Sequence, residues 1–124
     1  MEATGHFARH ADQAAAARSF VRRTLVEWGV AKVDDVVLMA SELFTNAVLH
    51  GDGDVEVVLS LSGGHVRLEV ADGGGVPVPS EVRRPTPDAI TGRGLAIVDA
   101  LADRWGNGSD PAGRTRVWIE IPSR

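Results

Sequence analysis

The chain has no cysteine, a single lysine, and no apolar run that approaches a membrane span. Each shortage excludes something. Without cysteine there are no disulfides, no thiolate metal site and no cysteine nucleophile, which fits a reducing compartment. A membrane helix needs roughly 18 or more consecutive apolar residues, and none is found, so no membrane contact is expected. The first residues, MEATGHFARHADQ, lack the apolar stretch of a secretory signal, and the expected location is the cytoplasm. A surplus of positive charge is missing as well. Thirteen Lys+Arg stand against seventeen Asp+Glu, a net charge of −4, which argues against a protein held directly to nucleic acid by phosphate contacts. What remains is ordinary for a globular chain: 44% hydrophobic and 24% charged residues in 124. That length suits one domain, 1–124, burying roughly 60% of its unfolded surface without staples. No repeat, low-complexity segment or linker divides it.

Periodicity lays out the elements. Ala17, Phe20, Val21, Thr24, Leu25 and Trp28 recur at helical spacing, which predicts a helix from about Asp12 to Trp28 with Gly29 as its stop. A second helix is expected from Asp34 to His50, with Val37, Ala40, Leu43, Phe44, Ala47 and Val48 inward and Gly51 as a left-handed cap. The period then switches to two. Val55, Val57, Leu59 and Leu61, then Val66, Leu68 and Val70, read as two strands of a hairpin about Gly63-Gly64. From Gly73 to Thr91 regularity disappears, and a loop that long in a small domain points to function. A third helix is expected from Gly94 to near Asp103, a short strand at Trp105, a turn at Asn107-Gly108, and a last strand from Arg114 to Ile121. The order predicts an α+β fold: a two-layer sandwich with helices on one face of a mixed, mostly antiparallel sheet.

Polar residues fall in phases reserved for core. Asp72 continues the inward phase of Val66, Leu68 and Val70, and Thr115 precedes the inward phase of Val117, Ile119 and Ile121. A buried carboxylate without a partner costs several kcal/mol and a hydroxyl ~1–3 kcal/mol, so each needs a ligand, a neighbour or water. Water at a half-exposed strand end is the simpler account of Thr115. Asp72 is followed by Gly73-Gly74-Gly75, which lets a ligand come close to the backbone. On the second helix Glu42, Asn46 and His50 are four apart and form one polar ridge. Glu and Asn together suit a divalent cation, or a base beside a metal ligand. A solvated helix face is the plainer alternative, and for His50, at the negative end of the helix dipole, it is the favoured one. Gly92-Arg93-Gly94-Leu95 opens a helix after the loop, where free amides and a guanidinium would suit phosphate. It is neither a Rossmann fingerprint nor a Walker loop, since Lys32 is far from it. His6, His10 and His65 offer no convincing metal spacing.

In their order these segments resemble the ATPase-kinase superfamily of Hsp90, DNA gyrase, MutL and histidine kinases, with the Bergerat nucleotide fold. The nearest plan is that of bacterial anti-sigma-factor serine kinases and their stand-alone actinobacterial relatives. SELFTNAVLHG (Ser41–Gly51) is similar to the family's N-box, VADGGG (Val70–Gly75) to its first glycine box, GRGLAIVDALADRWG (Gly92–Gly106) to its second, and GRTRVWIEI (Gly113–Ile121) to its closing strand. The resemblance implies ATP and Mg²⁺ as cofactors. Asp72 would accept the adenine amino group's hydrogen bond, with Gly74 beside it and Thr115 at the adenine edge. Asn46 would bind magnesium, Glu42 would act as general base, and Gly92, Arg93, Gly94 and Leu95 would cradle phosphate beneath a lid at Gly73–Thr91. Position 76 is valine where the first box usually has its last glycine.

The resemblance further implies an ATP-dependent serine/threonine protein kinase that phosphorylates a serine of an anti-anti-sigma antagonist and binds a sigma factor, regulating transcription, with a homodimer as its assembly. The alternatives are a non-catalytic, nucleotide-responsive protein-binding module, and an adaptor that has lost nucleotide.

Overall fold

The computed structural model describes residues 1–73 and 93–124, with side chains from residue 96 onward in the second stretch. Its elements run β1 (Glu2–Phe7), a 3-10 turn (Ala11–Gln13), α1 (Ala14–Glu27), α2 (Val33–His50), β2 (Val55–Ser62), β3 (His65–Asp72), α3 (Arg93–Leu101), β4 (Arg104–Ser109) and β5 (Thr115–Pro122). The strands form one sheet in the order β1-β2-β3-β5-β4. The α+β class stands, and among the described residues every pair of neighbouring strands is antiparallel. Two of the pairs, β2–β3 and β4–β5, are joined by short turns, which admit no other orientation.

Residue period explains the layers. α1 buries Ala17, Val21 and Leu25, four apart, and α2 buries Val36, Val37, Met39, Ala40, Leu43, Phe44 and Ala47. Facing them are Val55, Val57 and Leu59 of β2, Val66, Leu68 and Val70 of β3, and Ile119 and Ile121 of β5. Truncating a fully buried leucine such as Leu68 to alanine costs about 2–5 kcal/mol in such a core. The alternate residues, among them Glu56, Arg67, Glu69, Arg116, Trp118 and Glu120, are half-buried on the opposite face. Gly63 and Gly64 turn the β2–β3 hairpin with φ of +60° and +78°, the left-handed pair that a two-residue loop requires.

One strand was not expected and two expectations are corrected. At the N-terminus β1 pairs with β2 from Glu2↔Ser60 to Phe7↔Val55, and Phe7 meets Phe20 and Phe44 edge-on at 6.0 and 6.1 Å. Gly51 is no left-handed cap, since its φ is −90°. Asn107-Gly108 is no turn either. Both residues lie in β4, where Asn107 is buried opposite Val117, and the turn falls at 110–114 with Gly113 at φ +83°. The reason is a better turn-maker downstream: Asp110 Oδ1 accepts from the Ala112 and Arg114 amides at 3.0 and 2.9 Å.

Candidate functional site

β3 ends on Asp72, and its register partner is Thr115, the first residue of β5. Asp72 is 7% exposed and Thr115 half-buried. Strand alternation from buried Val66, Leu68 and Val70 carries Asp72 onto the helix-facing side. A carboxylate and a hydroxyl therefore sit opposite one another at one end of the sheet, against the helix layer.

From the helix side, Gly51 presses on Asp72. The chain leaves α2 with the Gly51 amide bonded to the Ala47 carbonyl at 2.9 Å. A Cβ at Gly51 would lie 2.5 Å from the Ala47 oxygen and 2.6 Å from both Cγ and Oδ2 of Asp72. Glycine is there for space, not for a positive φ. One residue on, the Asp52 carbonyl accepts a hydrogen bond from the Gly73 amide, and a Cβ on Gly73 would lie 2.6 Å from that oxygen. The loop after α2 is thus stitched to the end of β3.

α2 carries the polar ridge away from this junction. At about 1.5 Å per residue, Asn46 lies about 7.5 Å and Glu42 about 13.5 Å along the helix from Gly51. Both are half-buried, while His50 is exposed in the last turn, where a cationic side chain suits the helix dipole. Among the described residues no hydrogen bond or ion pair occupies the Glu42 or Asn46 side chain. α3 starts at Arg93 and packs against α2. Gly74, Val76, Gly92 and the lid from residue 74 on lie outside the described residues, as do the side chains of Arg93 and Leu95. The structure brings together Asp72, Thr115 and the end of the N-box, with Asn46 and Glu42 one and two turns further along the same helix.

The opposite face of the sheet carries an ion lattice that the motifs gave no hint of. Arg116 reaches Asp110 at 2.8 Å and Glu69 at 3.2 Å, and Glu120 is held by Arg67 at 3.0 Å and Arg104 at 2.9 Å. Glu56 faces Arg114 at 3.6 Å and both Arg116 and His6 at 3.9 Å. The bond from the Arg114 amide, then that from the Arg116 side chain, holds the Asp110 carboxyl below its usual range. Its bond to Arg104 does the same for Glu120, against a smaller effect of burial. One member of the lattice touches the site: Arg114 Nε donates to the Asp72 carbonyl at 3.4 Å.

The geometry is a helix layer over an antiparallel sheet, with a buried aspartate at a strand end beside a helix carrying Glu and Asn. Residues 7–120 match the histidine kinase-like ATPase domain family, and the chain belongs to it. An ATPase domain of this kind implies binding of ATP. The chain is also similar over 100% of its length to the crystal structure of the RsbU and RsbW domains of Rv1364c from Mycobacterium tuberculosis, at 25% identity and a TM-score of 0.71. It spans 34% of that longer chain. Among curated protein sequences nothing matches it. No helix among the described residues is long and apolar enough to cross a membrane.

Proposed function

We propose that this chain is a cytoplasmic, ATP-dependent protein kinase domain that phosphorylates a serine of an antagonist protein and acts on transcription through a sigma-factor partner. One observation carries the reading: Asp72 is buried opposite Thr115 and pressed against the end of the helix that presents Asn46 and Glu42. A nucleotide whose adenine amino group donates to Asp72 would run along α2 with its phosphates toward Asn46, Glu42 and the amides opening α3. The family match to an ATPase domain and the likeness to a structure that includes an RsbW domain support it.

The residues also fit magnesium. Among the described residues no three His, Cys, Asp or Glu side chains converge on a metal site. The carbonyl oxygen of Asn46 is a suitable ligand for an ion that keeps water and phosphate oxygens as its other ligands. Such an ion supplies charge neutralisation at the phosphates. In the transfer itself, the serine Oγ forms a bond to the γ-phosphorus as the bond from that phosphorus to the β,γ-bridging oxygen breaks. The hydroxyl proton passes to the Glu42 carboxylate, and ADP leaves. Free amides at the start of α3 stabilise charge developing on the phosphoryl oxygens.

Incubation with labelled ATP and candidate antagonist domains tests this directly. Phosphoserine is expected, and Glu42→Ala should slow its formation by ~10²–10⁴-fold while nucleotide affinity stays near that of the wild type. Transfer at the normal rate in Glu42→Ala would leave that residue structural. ATP binding with no transfer to any antagonist would make the chain a nucleotide-responsive binding module, and no ATP binding at all an adaptor.

A further inference from the structure

Asp72 is the last residue of β3, and the peptide unit that follows it leaves the ladder. That unit is held by two hydrogen bonds of its own. The carbonyl of that unit, on Asp72, accepts from Arg114 Nε at 3.4 Å, and its N–H, on Gly73, donates to the Asp52 carbonyl. One peptide plane is held from both sides, by the side chain of the residue just before β5 and by the loop after α2. With the ladder holding the preceding peptide, both planes that flank the Asp72 Cα are fixed, and the Cα–Cβ direction with them.

Arg114 is itself well anchored. Its Nη1 lies 3.6 Å from Glu56 Oε2 on β2, and its side chain is 30% exposed. Its own amide donates to Asp110 Oδ1 at 2.9 Å, and its carbonyl accepts from the Asp110 amide at 2.9 Å. The guanidinium therefore spans the ends of three strands, β5, β3 and β2, at the end of the sheet that carries Asp72 and Thr115. A planar fork can reach two acceptors at once in fixed geometry, whereas an ammonium is a single point charge.

We infer that Arg114 is a positioning residue for base selectivity: by holding the Asp72–Gly73 peptide it aims the Asp72 carboxylate at a base that bears an exocyclic amino donor. The inference rests on Asp72 being the adenine acceptor proposed above. A base with a carbonyl in place of that amino group would set oxygen against carboxylate and is disfavoured. The discrimination depends on the carboxylate being held still, because a mobile Asp72 can turn away from the wrong base.

Calorimetric titration with ATP and with ITP, which carry the same triphosphate but differ in that one group, tests it. In Arg114→Ala the ATP affinity should fall about three- to tenfold while the ITP affinity changes by less than about twofold, so the preference for ATP shrinks by nearly the whole factor. Arg114→Lys should behave alike, since it keeps a charge opposite Glu56 but cannot bridge to Asp72, and it carries the test if the alanine variant does not fold. Arg104→Ala, at the Glu120 end of the lattice, should keep the preference. A preference retained in both Arg114 variants, or an equal loss of ATP and ITP, overturns the role of Arg114 alone. A wild type with no preference for ATP over ITP overturns the assignment of Asp72 and this inference with it.

Discussion

At Gly51 the missing side chain makes room for two groups at once, the Ala47 carbonyl oxygen and the Asp72 carboxylate. Gly51→Ala would push a methyl group into both, and overpacking of this kind costs about 1–3 kcal/mol. The backbone oxygen cannot yield without loosening the last turn of α2, so the carboxylate would move instead. The expected outcome is a lower denaturant midpoint together with weakened ATP binding, measured by urea titration and calorimetry. Unchanged ATP affinity in a destabilised variant would show that Asp72 does not need its present place. A glycine after a helical run was legible as an end of the helix, and the helix does end there. Its reason was not legible, because the group that demands the space comes from the end of another strand. Asp72 and Thr115 were readable for the opposite cause. Strand alternation is local, and it carried both residues inward before any contact between them was known. Arg114 and Asp52 gave no such signal, since each acts through a backbone group of a residue distant in sequence.

The β4–β5 turn shows the same contrast at the level of elements. Asn-Gly is a strong hairpin signal, yet Asn107 and Gly108 run straight through β4. Asp110 closes the turn with its carboxylate, accepting two amides and the Arg116 side chain. The Trp105 indole N–H, donated to Asp99 Oδ1 at 3.0 Å, fixes the strand's start. β1 escaped notice because its inward positions include Ala3 and Gly5, too small to give a period-two hydrophobic signal. The stripes of α1 and α2 and the β2–β3 hairpin were legible because large aliphatic residues mark them. A pH dependence follows from the turn. Asp110 has an ordinary value of 3.8 and Glu120 one of 4.5, and the fold lowers both. A carboxyl lowered in the folded state contributes stability that is fully present above its unfolded value and is lost as pH falls through the folded one. The two contributions should therefore be intact above about pH 4.5 and decline below it. Asp110→Asn should lower the denaturant midpoint at about pH 7 and narrow its difference from the midpoint at about pH 3. An unchanged difference would mean that the turn's bonds survive protonation of Asp110.

For the whole molecule, the proposed nucleotide would join the sheet and helix layers at the end where Gly51 and Gly73 bring them together. Its base would engage the sheet end at Asp72 and Thr115, and its phosphates the helix layer at Asn46 and Glu42. Binding to the folded chain alone stabilises by about 2.7 kcal/mol at a hundredfold excess over Kd, roughly ten degrees in Tm for a chain of this size. Asp72→Asn replaces an acceptor by an amide whose NH₂ can face the adenine donor, a loss of ~1.5–3 kcal/mol, or one to two decades in affinity. At the same ATP concentration, a hundredfold weaker site would leave only about 0.4 kcal/mol of stabilisation. The melting shift should thus nearly vanish in Asp72→Asn while the ligand-free Tm stays close to that of the wild type. Asn46→Ala should behave differently, losing the extra shift that magnesium adds while keeping the shift from ATP alone. Thermal melts of the three proteins with ATP, with and without magnesium, separate these outcomes. Equal shifts in the wild type and Asp72→Asn would put the adenine elsewhere. Equal magnesium dependence in the wild type and Asn46→Ala would leave the metal to phosphate and water alone.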